Sequence, residues 1–320
     1  MRGKLINLLT KEQHLKILHA YSDDALAAAE YRNQTGQHIT RQNVWYWREI
    51  FVNHTSKGKA DNELKAARGL LRPSPSDNIG DTSFILDVAS SILVIPDQHA
   101  PYQHMDSIDF LGAVAAIFKP DLVVNLGDEV DMHAMSFHDS DPNLDSAGVE
   151  LEKAKIFMDE LHDLFPQMLV CDSNHGSMLY RKAKAHGIPV QMIKKYREVL
   201  FPEHGAPGWS WADSWSVQTP LGPVMFKHQT TGLLTDAAHN ATNLVVGHEH
   251  GKFDIEYSAS SAHLYYGMHA GCLIDKDSLA FAYGKHSLRK PIIGCAVILE
   301  GRPTLIPMVL GRDGRWIGSV

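Results

Sequence analysis

The sequence lacks several features that would place it in a particular class of protein. Its three cysteines, Cys171, Cys272 and Cys295, are odd in number and widely spaced, so neither a disulfide framework nor a CxxC zinc site is expected. No stretch approaches the roughly 18 consecutive apolar residues of a membrane span, and the apolar run within residues 1–10 is too interrupted for a secretory signal. We therefore expect a protein of the reducing cytosol with no membrane partner.

The chain does have an ordinary globular composition, with 44% hydrophobic and 21% charged residues over 320 positions. Two features stand out, a high count of 19 histidines and an uneven distribution of charge. Residues 1–80 carry 12 Lys and Arg against 8 Asp and Glu, whereas residues 81–320 carry 18 against 29. A basic head on an acidic body suggests two modules with different partners.

The boundary between these modules is predicted near residues 69–82, a stretch rich in Pro, Ser, Gly and Asn, as linkers are. We expect a small all-α domain over residues 1–75 and a larger domain over residues 76–320. In the small domain, the cluster Ser22-Asp23-Asp24 is suited to cap the second of three predicted helices, and Thr40 is suited to cap the third.

The third predicted helix, residues 41–50, places Val44, Trp47 and Phe51 on one apolar stripe. With its flanking residues it resembles the recognition helix of a helix-turn-helix, and four polar side chains would then face a nucleic-acid groove. These four are Arg41, Gln42, Asn43 and Arg48. The alternative is a helical bundle used for docking or oligomerisation, although the net charge of the head favours nucleic acid.

The larger domain alternates strands and helices at first and is rich in strands towards its end. Strands are predicted at 91–96, 121–126 and 168–171, with helices at 105–118 and 146–164 between them. After an insertion at about 187–215, further strands are predicted at 214–219, 223–228, 243–247, 263–273, 292–299 and 303–309. This order favours a layered α/β fold with mixed sheets. The insertion holds Trp209, Trp211 and Trp215, which could stack on a base or simply pack against the body.

Five short segments at the ends of predicted strands carry side chains that can bind metals. They are Asp97-Gln98-His99, Gly127-Asp128-Glu129-Val130-Asp131, Ser173-Asn174-His175, Lys227-His228 and Gly247-His248-Glu249-His250. Strand ends in α/β proteins gather at one edge of the sheet, where sites are usually built. At least seven candidate ligands exceed the three or four that one ion needs, which favours two ions about 3.5–4 Å apart. Asp128 is the natural bridge between them.

The side chains in these segments are carboxylates, imidazoles and an amide. Such ligands suit Mn²⁺ first, with Fe, Zn²⁺ or Ni²⁺ as alternatives. Asp131 is a candidate for orienting one of the ligands through a hydrogen bond, without binding the metal itself. His239 competes with His228 as a ligand, and three further histidines near the motifs could contact substrate or simply lie on the surface. These are His104, His133 and His138.

The order D-x-H, GDxxD, NH, H and GHxH resembles the calcineurin-like metallophosphoesterase family over residues 92–250. The resemblance implies one ion held by Asp97, His99, Asp128 and His250. It implies a second ion held by Asp128, Asn174, His228 and His248. It also places His175 over the phosphate, where it would stabilise the transition state or protonate the leaving oxygen.

The same resemblance implies a four-layer αββα sandwich with two mixed sheets, and hydrolysis without a covalent enzyme intermediate. Two departures are visible: Gly176 stands where the family commonly has an acid after the NH pair, and Ser173 replaces the usual Gly before it.

The function expected from these features is that of a dinuclear metal-dependent phosphodiesterase acting on nucleic acid, to which the basic head delivers the substrate. One alternative is a phosphatase for a nucleotide or phosphoprotein, with the head as a docking module. Another is a DNA-binding protein with an inactive hydrolase body, against which the near-complete set of ligands argues. Pairing a hydrolase with a helix-turn-helix suggests a phage or mobile-element origin by analogy.

Overall fold

The computed structural model describes residues 9–37, 39–53, 78–137, 141–261, 263–281 and 290–320. The chain divides into two compact units, Met1–Arg72 and Pro73–Val320. The predicted boundary between residues 75 and 76 lies outside the described residues, as do His138 and the side chain of Gln42. Within the described ranges, no helix is long and apolar enough to span a bilayer.

The first unit contains the three helices that the sequence predicts: α1 (Lys11–Ala20), α2 (Asp24–Thr35) and α3 (Arg41–Phe51). Each begins at a side-chain cap, since Thr10, Asp23 and Thr40 accept hydrogen bonds from backbone amides of the following turn. The helices enclose a core in which the buried rings of Tyr31 and Trp47 meet with centroids 4.7 Å apart.

Asn43 does not face outward as the helix-turn-helix interpretation expects. Its side-chain oxygen accepts hydrogen bonds from the backbone amide of Thr40 at 3.0 Å and from the Thr40 hydroxyl at 2.6 Å. These contacts complete a capping box at the start of α3, so the side chain is committed to the helix end. Of the four predicted nucleic-acid contacts, Arg41 is exposed.

Arg48 also has an internal role, which corrects the prediction that it faces a groove. Its Nε donates to Asp24 Oδ1 at 2.9 Å, and its two terminal nitrogens donate to the carbonyl oxygens of Leu18 and Tyr21 at 2.7 Å. Carbonyls at the C-terminal end of a helix have no partner within the helix, so the guanidinium satisfies the end of α1. The first unit thus adds no support for a helix-turn-helix.

The described residues of the second unit form a mixed α/β structure on one sheet of eleven strands. The strands are β1 (Asn78–Val88), β2 (Ser91–Ile95), β3 (Leu122–Asn125), β4 (Met168–Cys171), β5 (Trp209–Thr219), β6 (Gly222–Lys227), β7 (Asn243–Val246), β8 (Phe253–Ala259), β9 (Leu264–Ala270), β10 (Gly294–Leu299) and β11 (Arg302–Pro307). The helices are α4 (Ser107–Phe118), α5 (Ala147–Leu164), α6 (Met178–Ala185), α7 (Tyr196–Leu200) and α8 (Leu233–His239), with 3-10 turns at His133–Met135 and Val190–Met192.

The strands are ordered β11-β10-β2-β3-β4-β5-β6-β7-β9-β8, and β1 pairs with β5 in parallel. The two mixed sheets expected from the sequence are therefore joined, which corrects that part of the prediction. The joining strand is β5, whose residues 209–212 pair with β4 and whose residues 214–219 pair with β6. Because β5 is 11 residues long, it can bond a different neighbour along each half.

One apolar core is shared by the two halves of this sheet. It contains residues of β2, β3 and β10 together with residues of β6, β7 and β9. A second core lies between α4, α5 and the strands β2, β3 and β4, and a smaller one lies between α8 and β7. These cores agree with the predicted layered α/β class, while the four-layer sandwich itself stays a prediction.

The start of β5 corrects the predicted insertion at about 187–215, because Trp209–Trp215 belongs to the sheet. The three tryptophans are at most 4% exposed, so they pack the core and cannot stack on a base. Their indole N–H groups are bonded internally, that of Trp209 to the Phe165 carbonyl at 2.7 Å and that of Trp215 to the Val170 carbonyl at 2.9 Å.

The last residues of the chain are tied to the start of α4. Arg315 Nε lies 2.9 Å from Asp106 Oδ2, and the backbone amide of Trp316 donates to the same oxygen at 2.9 Å. The Trp316 ring packs edge-on against Phe110 with centroids 5.6 Å apart. The hydrogen bonds from Arg315 lower the pKa of Asp106 to about 2, since they favour its ionised form.

We expect Arg48→Ala to destabilise the first unit by about 1–3 kcal/mol, because three hydrogen bonds from one charged group are lost. Arg48→Lys should recover little of this, since an ammonium cannot reproduce the guanidinium fork. Urea unfolding of the full chain measures the change, and Arg41→Ala is the matched control because Arg41 is exposed. Equal stability of the wild-type protein and Arg48→Ala would contradict the structural role.

We also expect Asp106→Asn to lower the urea midpoint of the second unit at neutral pH. A carboxylate whose folded pKa is depressed contributes stability above its unfolded value, near 3.8, and loses it as the pH falls towards about 2. The difference in urea midpoint between the wild-type protein and Asp106→Asn should therefore shrink as the pH falls from 5 to 3. Parallel urea denaturation curves of the two proteins at each pH measure it. A difference independent of pH would show that the carboxylate charge is not responsible.

Candidate metal centre

The predicted ligands converge because the strands that precede them end at one edge of the sheet. Strands β2, β3 and β4 run parallel to one another and end just before Asp97, Asp128 and Asn174. Strands β6 and β7 are also parallel to each other and end just before His228 and His248. The two sets meet directly, since His228 Nδ1 lies 2.9 Å from the Leu126 carbonyl oxygen.

The first group of ligands contains Asp97, His99 and His250, whose donor atoms lie within 4.8 Å of one another. His250 Nε2 lies 3.1 Å from both Asp97 Oδ2 and His99 Nε2. The other ring nitrogen of His99 lies 2.5 Å from Asp131 Oδ1. In neutral His99 the Nδ1–H then donates to Asp131, and the Nε2 lone pair is directed to the group.

The second group contains Asp128, His228 and His248 within the same limit, and Asn174 joins it. His228 Nε2 lies 2.8 Å from Asn174 Oδ1 and 3.2 Å from His248 Nδ1. Its Nδ1 is bonded to the Leu126 carbonyl, which leaves Nε2 as its ligand atom. The structure therefore brings together every residue that the sequence suggested for two ions.

Asp128 lies between the two groups. Its Oδ2 is 3.2 Å from His228 Nε2 and 3.5 Å from His99 Nε2, so one oxygen faces both sets of imidazoles. Its Oδ1 accepts a hydrogen bond from the backbone amide of His175 at 3.1 Å. A carboxylate in this position can bridge two cations while its orientation is held by the chain.

The backbone around the centre is shaped to bring these atoms together. His99, Asp128 and His248 have φ values of 53°, 50° and 65°, in the left-handed region that His and Asp enter more readily than most residues. Gly247 has no room for a side chain, because a Cβ there would lie 2.2 Å from Asp97 Oδ1. Such backbone strain concentrates where the surrounding structure imposes it, often at functional sites.

Burial and mutual charge set the protonation of the centre. Burial lowers the pKa of His99 and of His248, so both favour the neutral form that binds metals. Burial also acts against a charged His228, yet the Asp128 carboxylate outweighs it and raises the pKa of His228 to about 9. Conversely, burial opposes ionisation of Asp128, but the imidazoles of His228 and His175 hold its pKa well below its usual range.

The donor set fits divalent cations. Donor atoms about 2.1 Å from one ion stand roughly 3–3.5 Å apart, as the His99–His250 and His228–His248 nitrogens do. Asp97 Oδ1 is buried and has no hydrogen-bond partner among the described residues, which is costly for an ionised oxygen unless a cation is near. Carboxylate, imidazole and amide donors suit Mn²⁺, Fe or Zn²⁺.

His175 lies beside this set and is oriented by Asp131. Its Nδ1 is hydrogen-bonded to the Asp131 backbone carbonyl and lies 3.7 Å from Asp131 Oδ1. Asp131 thus orients two histidines, His99 by its side chain and His175 mainly by its backbone. This contact fixes the orientation of the His175 ring and leaves its Nε2 available to a substrate. The side chain is 20% exposed.

The remaining candidate histidines lie apart from the ligand groups. His239 is exposed at the last residue of α8 and does not compete with His228. His104 is bonded through Nε2 to the Gly314 carbonyl at 2.9 Å, in the contact that holds the end of the chain. His133 is half-buried, with Nδ1 3.8 Å from Asp131 Oδ2, so it lies just outside the centre.

A pocket of about 170 Å³ adjoins the second group, with His248 in its wall. The loop after His228 forms one side with Thr230 and Thr231, and Lys252 lies on another side. Its walls carry hydroxyl, ammonium, carboxylate and imidazole groups, so the space suits a polar part of a ligand.

Sequence reasoning missed a cationic contact beside the candidate ligand Asn174. Arg181 Nη1 lies 3.3 Å from the Asn174 carbonyl oxygen, one turn into α6. No known motif identifies this arginine, but the local charge pattern indicates it. Residues 173–197 contain six Lys and Arg and no Asp or Glu. A window count of charge along the acidic body would have indicated this segment.

The sequence matches no known protein family, and no curated protein resembles it closely enough to count as a relative. Several solved structures share a distant structural likeness with this chain, among them the following three. The structure of vacuolar protein sorting 29 from Cryptosporidium parvum has a TM-score of 0.36 and 13% identity to this chain, and the likeness covers 67% of this chain and 88% of the other. A novel archaeal phosphodiesterase has a TM-score of 0.36 and 13% identity, and the likeness covers 65% of this chain and 92% of the other. Vps29 from Chaetomium thermophilum has a TM-score of 0.36 and 12% identity, and the likeness covers 72% of this chain and 93% of the other. Likeness at this level assigns neither family nor activity.

We expect Gly247→Ala to reduce the metal content of the purified protein. The added Cβ would displace Asp97 Oδ1 and disturb the first group, while the second group keeps its own donors. Metal per chain, measured by emission spectroscopy after dialysis against Mn²⁺, should fall from about two towards one. Gly148→Ala is the matched control because a Cβ there meets nothing within 4 Å. Unchanged stoichiometry in Gly247→Ala would contradict the role of Asp97.

Proposed function

We propose that the protein is a dinuclear metal-dependent phosphoesterase of the calcineurin-like kind, and that it hydrolyses phosphodiesters in preference to monoesters. The proposal rests above all on one observation, the Asp128 oxygen that faces His228 and His99 from between two groups of ligands. A single ion does not need so many convergent donors, whereas two ions that share a carboxylate do.

The proposed ligands are divided between the two ions. One set is Asp97, His99, Asp128 and His250, and the other is Asp128, Asn174, His228 and His248. Divalent ions, when bound there, supply Lewis-acid activation of water and neutralise charge on the phosphate. Mn²⁺ is the first choice for both positions, with Fe, Zn²⁺ and Ni²⁺ as alternatives. The four-layer αββα arrangement belongs to the same proposal.

In this proposal His175 is the acid that acts on the leaving group. Burial lowers the pKa of His175, but the carboxylates of Asp128 and Asp131 outweigh it and raise the pKa, which favours the protonated form that can act as an acid. With Nδ1 bonded to the Asp131 carbonyl, Nε2–H is the group that can donate to a phosphate oxygen or to the departing alkoxide. The pocket beside His248 offers room for the organic part of the ester.

Two variants separate metal binding from proton donation. We expect Asp128→Ala to lose both bound metal and activity, because the shared carboxylate is removed. His175→Ala should keep its metal content and lose turnover by about 10²–10⁴-fold, the range for general acid catalysis. Hydrolysis of bis-p-nitrophenyl phosphate with Mn²⁺ measures turnover, and His239→Ala is the control because it lies away from the centre.

The same assay tests the reaction class. Full activity after exhaustive chelation would exclude the metal-dependent mechanism. Preference for p-nitrophenyl phosphate over the diester by orders of magnitude would instead identify a phosphatase. If His175→Ala loses metal along with turnover, His175 acts in assembly of the centre and not as the acid.

A further inference from the structure

A short basic segment stands out within the acidic second unit. Residues 173–197 contain six Lys and Arg and no Asp or Glu, whereas the rest of residues 81–320 contains 12 against 29. The segment begins at Asn174 and His175, which are part of the candidate centre. A concentration of positive charge beside an otherwise acidic site attracts an anionic ligand to that side.

Helix α6 presents part of this charge beside the centre. Arg181 is exposed, and its Nη1 lies 3.3 Å from the carbonyl oxygen of the ligand residue Asn174. The next residue, Lys182, is half-buried, and Lys184 is exposed. Cations at this place can bind phosphates that flank the one at the centre.

An exposed aromatic ring lies against the same cations. The Phe137 ring centroid is 4.3 Å from Lys182 Nζ and 5.0 Å from the guanidinium carbon of Arg181. Phe137 keeps 50% of its surface exposed, so the ring is accessible to a ligand. Because Arg181 also contacts the Asn174 carbonyl oxygen, the ring is linked to the centre through this arginine.

An aromatic ring beside exposed cations is the arrangement with which proteins bind single-stranded nucleic acid. Bases stack on the ring with little regard to sequence, while Lys and Arg contact the backbone phosphates. Duplex DNA keeps its bases stacked inside, so an isolated exposed ring offers it nothing. An acidic or neutral protein segment would use the cations but gain less from the ring.

We propose that Phe137, Arg181, Lys182 and Lys184 form a binding surface for single-stranded nucleic acid, which leads the strand into the metal centre. This inference rests on the proposed function, because it names the substrate class of the same site. It also moves the expected nucleic-acid contact from the first unit, where Asn43 and Arg48 are engaged internally, to the rim of the centre.

The direct test is equilibrium binding of a fluorescein-labelled oligothymidylate of about ten nucleotides, a length within the usual site size. Fluorescence anisotropy of the full chain in EDTA measures binding without cleavage. We expect Phe137→Leu to weaken binding roughly tenfold and Phe137→Tyr to retain it, since only the tyrosine ring can stack. Each of Lys182→Gln and Lys184→Gln should reduce the slope of log affinity against log salt by about 0.7.

Lys153→Gln is the matched control for charge, because Lys153 lies on α5 and pairs with Asp145. It should leave both affinity and salt slope unchanged. If Lys153→Gln and Lys182→Gln lost the same affinity for the strand, the effect would come from overall charge, and the proposal would be overturned. Tighter binding of a duplex of the same length, or no measurable binding of the strand, would overturn it as well.

Hydrolysis of bis-p-nitrophenyl phosphate by the wild-type protein keeps the two proposals distinguishable. If this small diester is cleaved but the strand is not bound, the surface is wrong and the phosphodiesterase stands. If the strand is bound through Phe137 and Lys182 but no ester is cleaved with Mn²⁺, the surface stands and the activity is wrong. Circular dichroism of each variant confirms that a lost signal does not come from unfolding.

Discussion

The centre depends on one constraint, that carboxylates buried among imidazoles must be matched by positive charge. Asp97 and Asp128 are at most 1% exposed, and charges so far from water are stable only with close partners. Protonated histidines meet part of this need for Asp128, while Asp97 Oδ1 keeps no hydrogen-bond partner among the described residues. The convergent nitrogens and oxygens are consistent with cations that complete the balance.

The net charge of each module does not show what its basic residues do. The basic head suggested by the composition uses Arg48 to close a helix end, and this guanidinium serves stability. Within the acidic body, by contrast, a basic segment starts at the centre itself. Net charge over a module therefore says less about a partner than the positions of its exposed cations.

Much of the fold follows from local patterns in the sequence. Periodicity and capping residues predict the three helices of the first unit. Short apolar runs predict the strands β2, β3, β4 and β7, because these strands are buried. Strand β1 was hidden by turn-forming residues within the predicted linker, and its pairing with distant β5 decides its conformation. Likewise, no local signal shows that β5 bonds β4 with one half and β6 with the other.

The candidate ligands and their order along the chain could be predicted from the sequence, because metal binding requires particular donor atoms and strand ends lie at one edge of a sheet. What the sequence could not provide were contacts between residues far apart along the chain. The side chain of Asp131 orients His99, 32 positions away, and its backbone carbonyl orients His175, 44 positions away. Only the folded chain decides such contacts, since backbone atoms, which every residue has, leave no mark in the sequence.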